Sequence, residues 1–170
     1  MMLVPAILYA NEIREKIARY NYSDDMLYYS GYIGNFLPTI SGDNDGSHYQ
    51  YAIVDNNKFN DKLIGYFEYK INWYSSCAHC FGLFSFDRKN KIIGFDVFRE
   101  MKKIINDYHI HRIEWRMVSG NPVEKHYDRF CKRYNGNKFV LTDAIKDRCC
   151  NYHNAVIYEI IFDERNDKNA

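Results

Sequence analysis

Apolar positions recur with two different periods along this chain, and the changes of period divide it into elements. Ile13, Ile17 and Tyr20 fall at helical spacing behind Asn11 as a cap, which predicts a first helix over residues 11–20. The apolar opening Met1–Ala10 is interrupted by Pro5 and is expected to be a strand, while a second short helix is expected after Ser23, through Met26, Leu27 and Tyr28. Ser41 to Ser47 is turn chemistry throughout. The period then becomes two. Tyr49–Val54, closed by the turn Asp55-Asn56-Asn57, then Leu63–Trp73 and Ala78–Phe86 are strand-like and predict an antiparallel meander.

From Lys91 the period returns to 3.6, with Val97, Phe98, Met101, Ile104, Ile105 and Tyr108 on one face of a long helix. Arg112–Val118 alternates Ile113, Trp115 and Met117 against Glu114 and Arg116, as a strand does. Asn121 fits an N-cap and Pro122 the first helical position of a second helix, whose buried face is Val123, Tyr127, Phe130 and Tyr134 and whose C-cap is Asn135-Gly136. Lys138–Leu141 and Ala155–Phe162 close the chain as strands. The fold class is α/β (α+β): a mixed, mostly antiparallel twisted sheet of six to seven strands with helices on both faces. One domain spans 1–170, with strand and helices over 1–48, a sheet core over 49–162 and a polar tail over 163–170.

Composition narrows the function. A content of 46% apolar and 26% charged residues excludes disorder, and a chain of 170 residues buries roughly 70% of its unfolded surface. The 23 Lys and Arg nearly balance 22 Asp and Glu, for a net charge of +1, which argues against nucleic-acid binding through phosphate contacts. No apolar run reaches the length of a membrane span, and the opening segment lacks a cationic flank, so neither membrane nor secretion is expected. Five cysteines without such a signal point to reduced thiols and a cytoplasmic protein.

The element order, with the residues at two joints, resembles the GNAT superfamily of acyl-CoA N-acyltransferases over roughly residues 49–162. In that family a pantetheine-binding strand leads into a phosphate-binding turn, Gln/Arg-x-x-Gly-x-Gly/Ala, and a long helix. Here Phe84-Ser85-Phe86 is followed by Asp87 to Gly94; placing the last glycine on Gly94 puts Lys89 at the cationic position and Ile92 where the first glycine belongs. Such a turn offers backbone N–H groups to a pyrophosphate at a helix N-terminus. The second joint is the family's Asn-x-x-Ala-x-x-x-Tyr, matched by Asn121 and, one residue early, by Tyr127. The resemblance implies acetyl-CoA as co-substrate, held by Phe84, Ser85, Phe86, Lys89, Ile92, Gly94, Phe95 and Asn121, with Tyr127 as the acid beside the thioester sulfur. It implies transfer of an acetyl or short acyl group to a primary amine, small molecule or protein, by direct attack in a ternary complex. Glu68, His79 and Glu114 are candidates for the base that deprotonates the amine, with Glu68 and Glu114 preferred. The splayed strand pair of the family would end near Phe84-Ser85 and near Met117-Val118. Tyr22, Tyr28, Tyr29, Tyr32 and Phe36, with Asp24, Asp25, Asp43 and Asp45, would form an acceptor wall suited to a cationic or aromatic amine.

Other motifs are set aside. Cys77-Ala78-His79-Cys80 and Cys149-Cys150 with His153 lack the paired spacing of a zinc site, Asp43-Asn44-Asp45-Gly46 lacks the remaining ligands of a calcium loop, and His109/His111 lack a third ligand; no metal is expected. Cys131 has no nucleophile constellation in the sequence. Two alternatives stand beside the enzyme: a catalytically degenerate module on the same scaffold, and a phage-type nucleic-acid accessory protein. A homodimer is left open.

Overall fold

Alternating apolar side chains on seven strands require cover on both faces of a sheet, and the computed structural model shows how they obtain it. It describes residues 2–21, 23–29, 37–42, 46–57, 60–87 and 93–162. The strands are β1 (Met2–Pro5), β2 (His48–Asn57), β3 (Asn60–Asn72), β4 (Cys77–Ser85), β5 (Arg112–Val118), β6 (Asn137–Lys146) and β7 (Tyr152–Ile161). The helices are α1 (Ala10–Tyr20), α2 (Ile93–Asp107) and α3 (Glu124–Arg133), with 3-10 turns at Ala6–Tyr9 and Asp24–Tyr29. The strands form one sheet in the order β1-β2-β3-β4-β5-β7-β6. Every neighbouring pair among the described residues is antiparallel except β4 and β5, which run parallel with α2 as their crossover.

The sheet separates two cores. Ile53, Phe67, Tyr69, Ala78, Ile113, Trp115, Met117, Val156 and Tyr158 face α2 and α3, where they meet Val97, Met101, Ile104 and Phe130. Ala52, Val54, Leu63, Tyr66 and Phe84 face the other way, against Ile13 and Ile17 of α1 and Met26. Full burial of each large apolar side chain contributes about 1.5–3 kcal/mol, which fixes which face of each strand looks where. Two carboxylates also lie on the buried stripe of α2, Asp96 and Glu100. Glu100 Oε1 accepts hydrogen bonds from Tyr69 (3.0 Å) and Tyr51 (3.3 Å), so burial leaves it satisfied.

Several boundaries differ from the sequence reading. The opening segment is a strand only through Pro5; the 3-10 turn runs directly into α1, so Asn11 lies inside the helix and caps nothing. β2 continues through Asp55-Asn56-Asn57, because these residues pair with Lys62, Asp61 and Asn60. α3 begins at Glu124, not Pro122: Asn121 Oδ1 accepts from the Val123 N–H (3.2 Å) and opens a turn ahead of the helix. At the other end of α3, Asn135 takes the left-handed conformation (φ 52°), and Gly136 serves close approach, since a Cβ there would lie 2.5 Å from the Glu159 carbonyl oxygen. β6 extends to Lys146 across a bulge at residues 142–144. The tail at 163–170 lies outside the described residues.

Candidate active site

The parallel pair β4–β5 makes the site. Its ladder consists of Cys77 opposite Arg112 and Ala78 opposite Ile113, and it stops there. Beyond that point β4 stays with β3 through Ser85, while β5 stays with β7 through Val118, so the two central strands diverge into a wedge. A bulge in β4 drives the divergence. Glu68 pairs with Gly82 and Lys70 with His79, so Cys80 and Phe81 on β4 span the place of Tyr69 on β3, and Cys80 adopts φ 56°. An extra residue bends its strand and strengthens local twist, here just where β4 leaves β5. The wedge opens toward Phe84-Ser85 and Met117-Val118, the strand ends that the family resemblance implies. Backbone groups along its two inner edges have no ladder partner from each other, which is what an extended amide-bearing arm needs to pair in their place.

Glu68 and Glu114 lie on one face of this wedge, the face toward α1. Glu68 Oε2 accepts a hydrogen bond from Tyr66 (2.9 Å) and meets His48 Nε2 at 2.9 Å. The Tyr66 hydroxyl accepts in turn from Gln50 Nε2 (2.8 Å), whose side chain also reaches the Thr39 carbonyl (2.9 Å) and the Ser41 N–H (3.2 Å). This chain of bonds ties residues 39–41 onto β2 and fixes the Glu68 carboxylate. Glu114 is held between Arg112 and Arg116, the latter at 3.6 Å, and Arg112 also lies 3.5 Å from Glu159. Between the two glutamates stand His79 and Cys80, with His79 Nδ1 3.0 Å from Cys80 Sγ. Burial lowers the His79 pKa and raises that of the Cys80 thiol, so the neutral forms of both are favoured. A cleft of about 450 Å³ borders His79, lined in part by Cys77, Arg112, Glu114 and Glu159, at the laddered end of β4 and β5 and away from the wedge's mouth.

Tyr127 is on the opposite face. Its ring packs edge-on against Trp115, Tyr158 and Phe98, at centroid distances of 5.9, 6.0 and 6.4 Å. Burial alone pushes its hydroxyl up to about 12, and no hydrogen-bond partner meets it among the described residues. A protonated, unpartnered phenol can donate one hydrogen bond to an incoming group.

The proposed cofactor residues divide three ways. Gly94, in the first turn of α2, has open space on its Cα: a Cβ there would meet nothing within 4 Å. Phe95 beside it is 74% exposed. Asn121 sits at the end of β5 and donates weakly to the Tyr28 carbonyl (3.4 Å), which joins the wedge to the 3-10 turn at Asp24–Tyr29. Phe84 and Phe86 turn away from the wedge toward α1: Phe84 is fully buried there and Phe86 stacks on Tyr20 at 6.2 Å, so they have only backbone to offer, as Ser85 does along the same strand. Lys89 and Ile92 lie outside the described residues, as do Tyr22, Tyr32, Phe36, Asp43 and Asp45. Sequence reasoning missed the His79–Cys80 contact; the Cys-x-His-Cys run carried both residues, but only the bulge turns them to each other.

Among the described residues no group of three His, Cys, Asp or Glu could hold a metal ion, and no helix is long and apolar enough to cross a membrane. All five cysteines are free.

No protein-family model and no curated protein matches the chain. Solved structures do. An Acinetobacter baylyi ADP1 protein described as a candidate acetyltransferase matches over 95% of this chain and 92% of its own, with TM-score 0.67 at 11% identity. The Vibrio cholerae spermidine/spermine N-acetyltransferase SpeG, in complex with manganese ions, matches over 74% of this chain and 72% of its own, with TM-score 0.54 at 16% identity. A dodecameric structure of the Vibrio cholerae spermidine N-acetyltransferase matches over 69% and 66%, with TM-score 0.55 at 16% identity. With the parallel pair splayed at a β4 bulge inside a seven-stranded, otherwise antiparallel sheet, the chain has the GNAT acyl-CoA N-acyltransferase fold.

Proposed function

We propose that this chain is an acyl-CoA-dependent N-acyltransferase that moves an acetyl group from acetyl-CoA to a primary amine. The observation that carries the reading is the wedge where β4 and β5 part beyond Ala78 and Ile113. The residues fit the group: unladdered backbone for the pantetheine arm, and an α2 N-terminus whose first turn has no side chain at Gly94 to obstruct a pyrophosphate. Phe95, exposed beside it, offers a flat apolar surface to the nucleotide base. When bound, the thioester supplies the activated acyl group. The chain's own residues do the rest from two sides. An amine entering from the α1 face meets Glu68, His79 and Glu114, one of which takes its proton. Tyr127, on the α2–α3 face, returns a proton to the departing sulfur, and β4 amides released from pairing by the bulge stabilise the oxyanion of direct attack in a ternary complex.

The test is calorimetric titration with acetyl-CoA, followed by thiol release across a panel of polyamines, aminoglycosides, aromatic amines and peptide amines. Micromolar binding with amine-dependent thiol release is the expected result. No binding by folded protein overturns the reading; binding without transfer to any amine leaves a degenerate module.

Self-association belongs to the same reading. β6 is an edge strand exposed on both faces, with Phe139, Val140 and Leu141 each about half exposed, and a neighbour of this fold is a dodecamer. Antiparallel pairing of two β6 edges covers these residues in a homodimer. Light scattering on Val140→Lys, against wild type, checks it.

A further inference from the structure

The described cysteines are not equivalent. Cys77 and Cys131 are buried, and their sulfurs point at backbone carbonyls, of Ala78 at 3.9 Å and of Asn137 at 3.4 Å. Cys149 and Cys150 are exposed in the β6–β7 connection. Cys80 alone combines partial exposure with a base in contact, the His79 imidazole at 3.0 Å. It also sits two residues past the last β4 residue laddered to β5, on the bulge that opens the wedge, with a left-handed φ of 56° that few side chains adopt. The charges of Lys70, Glu68, Glu114 and Arg116 act on its thiol from both flanking strands. His79 in turn borders the 450 Å³ cleft with Glu114, and Cys80 itself is partly exposed. A nucleophile beside a base is the arrangement that covalent catalysis uses.

Resting on the acyl-transfer reading above, we propose that Cys80 is a self-acylation site: its sulfur takes the acyl group from bound acyl-CoA, with His79 as proton acceptor, when no amine fills the α1 side of the wedge. The step balances within these groups. In the tautomer that carries its proton on Nε2, His79 Nδ1 accepts the Cys80 S–H proton. The sulfur lone pair attacks the thioester carbonyl and forms the Sγ–C bond. The carbonyl C–S bond to CoA breaks, and CoA leaves as a thiol after taking the proton back from the imidazolium. One thioester replaces another, so no oxidant, reductant or further reactant is needed. The acyl-Cys80 thioester remains open to attack by an amine that arrives later: the N–C bond forms, the Sγ–C bond breaks, and the amine proton returns the thiol.

The experiment incubates the full chain with acetyl-CoA in the absence of amine, quenches in acid, and maps the peptides by mass spectrometry before and after hydroxylamine. The expected result is one hydroxylamine-labile acetyl group on the peptide bearing Cys80, retained in a Cys149→Ser/Cys150→Ser double variant and absent in Cys80→Ala. His79→Gln is expected to slow its appearance at least about tenfold, the lower range for loss of a general base. Label confined to Cys149 or Cys150, or no label on protein that binds acetyl-CoA in the calorimeter, overturns the inference and leaves the acyltransferase intact. Label on Cys80 at the wild-type rate in His79→Gln removes the imidazole's role. Absence of acetyl-CoA binding by the folded chain overturns both readings together.

Discussion

Gly94→Glu separates the cofactor site from the fold more cleanly than any other single change. A Cβ at Gly94 meets nothing within 4 Å, so the side chain enters open space. The position lies in the first turn of α2, where replacing Gly by Glu gains about 0.5–1 kcal/mol of helix propensity. A carboxylate near a helix N-terminus adds about 0.3–1 kcal/mol more. The folded variant is therefore expected to melt a few degrees higher than wild type, taking roughly 2–4 °C per kcal/mol at this chain length. Binding moves the other way. One carboxylate about 5 Å from one phosphate charge costs roughly 3 kcal/mol at an effective dielectric constant near 20. Pyrophosphate carries more than one charge, while salt screens part of the repulsion, so a loss of at least about 100-fold in acetyl-CoA affinity is expected. Calorimetry and a melting curve on the same sample give both signs. A stable variant that still binds as wild type refutes the placement of the pyrophosphate at this helix, and with it the use of Gly94.

Three further substitutions test other parts of the structure. Tyr127→Phe is expected to lower kcat about 100-fold or more while leaving acetyl-CoA affinity and melting nearly unchanged, since only an unpartnered hydroxyl is removed; unaltered kcat assigns the proton donor elsewhere. Because burial holds that hydroxyl near 12, it keeps its proton through ordinary assay pH, and an alkaline limb below about pH 10 should survive the substitution unchanged. Gly136→Ala is expected to destabilise by about 1–3 kcal/mol or more, because its Cβ would lie 2.5 Å from the Glu159 carbonyl oxygen and 2.7 Å from Cys131 Sγ, as a shifted urea midpoint reports. Asp147, bonded by His153 and Asn151, has its pKa lowered to about 2, so its stabilising contribution is complete above the unfolded value near 3.9 and is lost as pH falls through about 2. The Tm difference between wild type and Asp147→Asn should therefore shrink between about pH 5 and pH 2; a constant difference removes Asp147 as its source.

The sequence carried the sheet because strands and helices show in local alternation, whereas the wedge was expected only from the family resemblance. Ile113, Trp115 and Met117 against Glu114 and Arg116 is a pattern any half-buried strand shows, and the 3.6 period of Val97, Met101 and Ile104 leaves α2 no other reading. What the pattern misplaced depends on a partner. Asp55-Asn56-Asn57 is good turn chemistry, yet Lys62, Asp61 and Asn60 pair with it and carry the hairpin three residues further. Asn121-Pro122 is a good helix start by type, but Asn121 spends its side-chain oxygen on the Val123 N–H and delays the helix to Glu124. The bulges at Cys80 and at residues 142–144 are set by register between strands, which no window of one strand contains. For the same reason Cys77-Ala78-His79-Cys80 shows no constellation in sequence and a thiol–imidazole contact in the folded chain.

The placement of the proposed acid and the proposed bases on opposite faces of the sheet is a consequence of that register. Residues that alternate along β5 send Trp115 to the α2–α3 side and Glu114 to the α1 side, so one strand contributes to both half-sites. The Tyr127 ring rests on Trp115 and Tyr158 on the α2–α3 side, whereas Glu114 lines the cleft it shares with His79. A continuous β4–β5 ladder would close the passage between them, leaving a base and an acid separated by hydrogen-bonded backbone. The bulge at Cys80 therefore does more than curve a strand. It ends the pairing of β4 with β5, and it sets a thiol with its imidazole at the point where the two strands part.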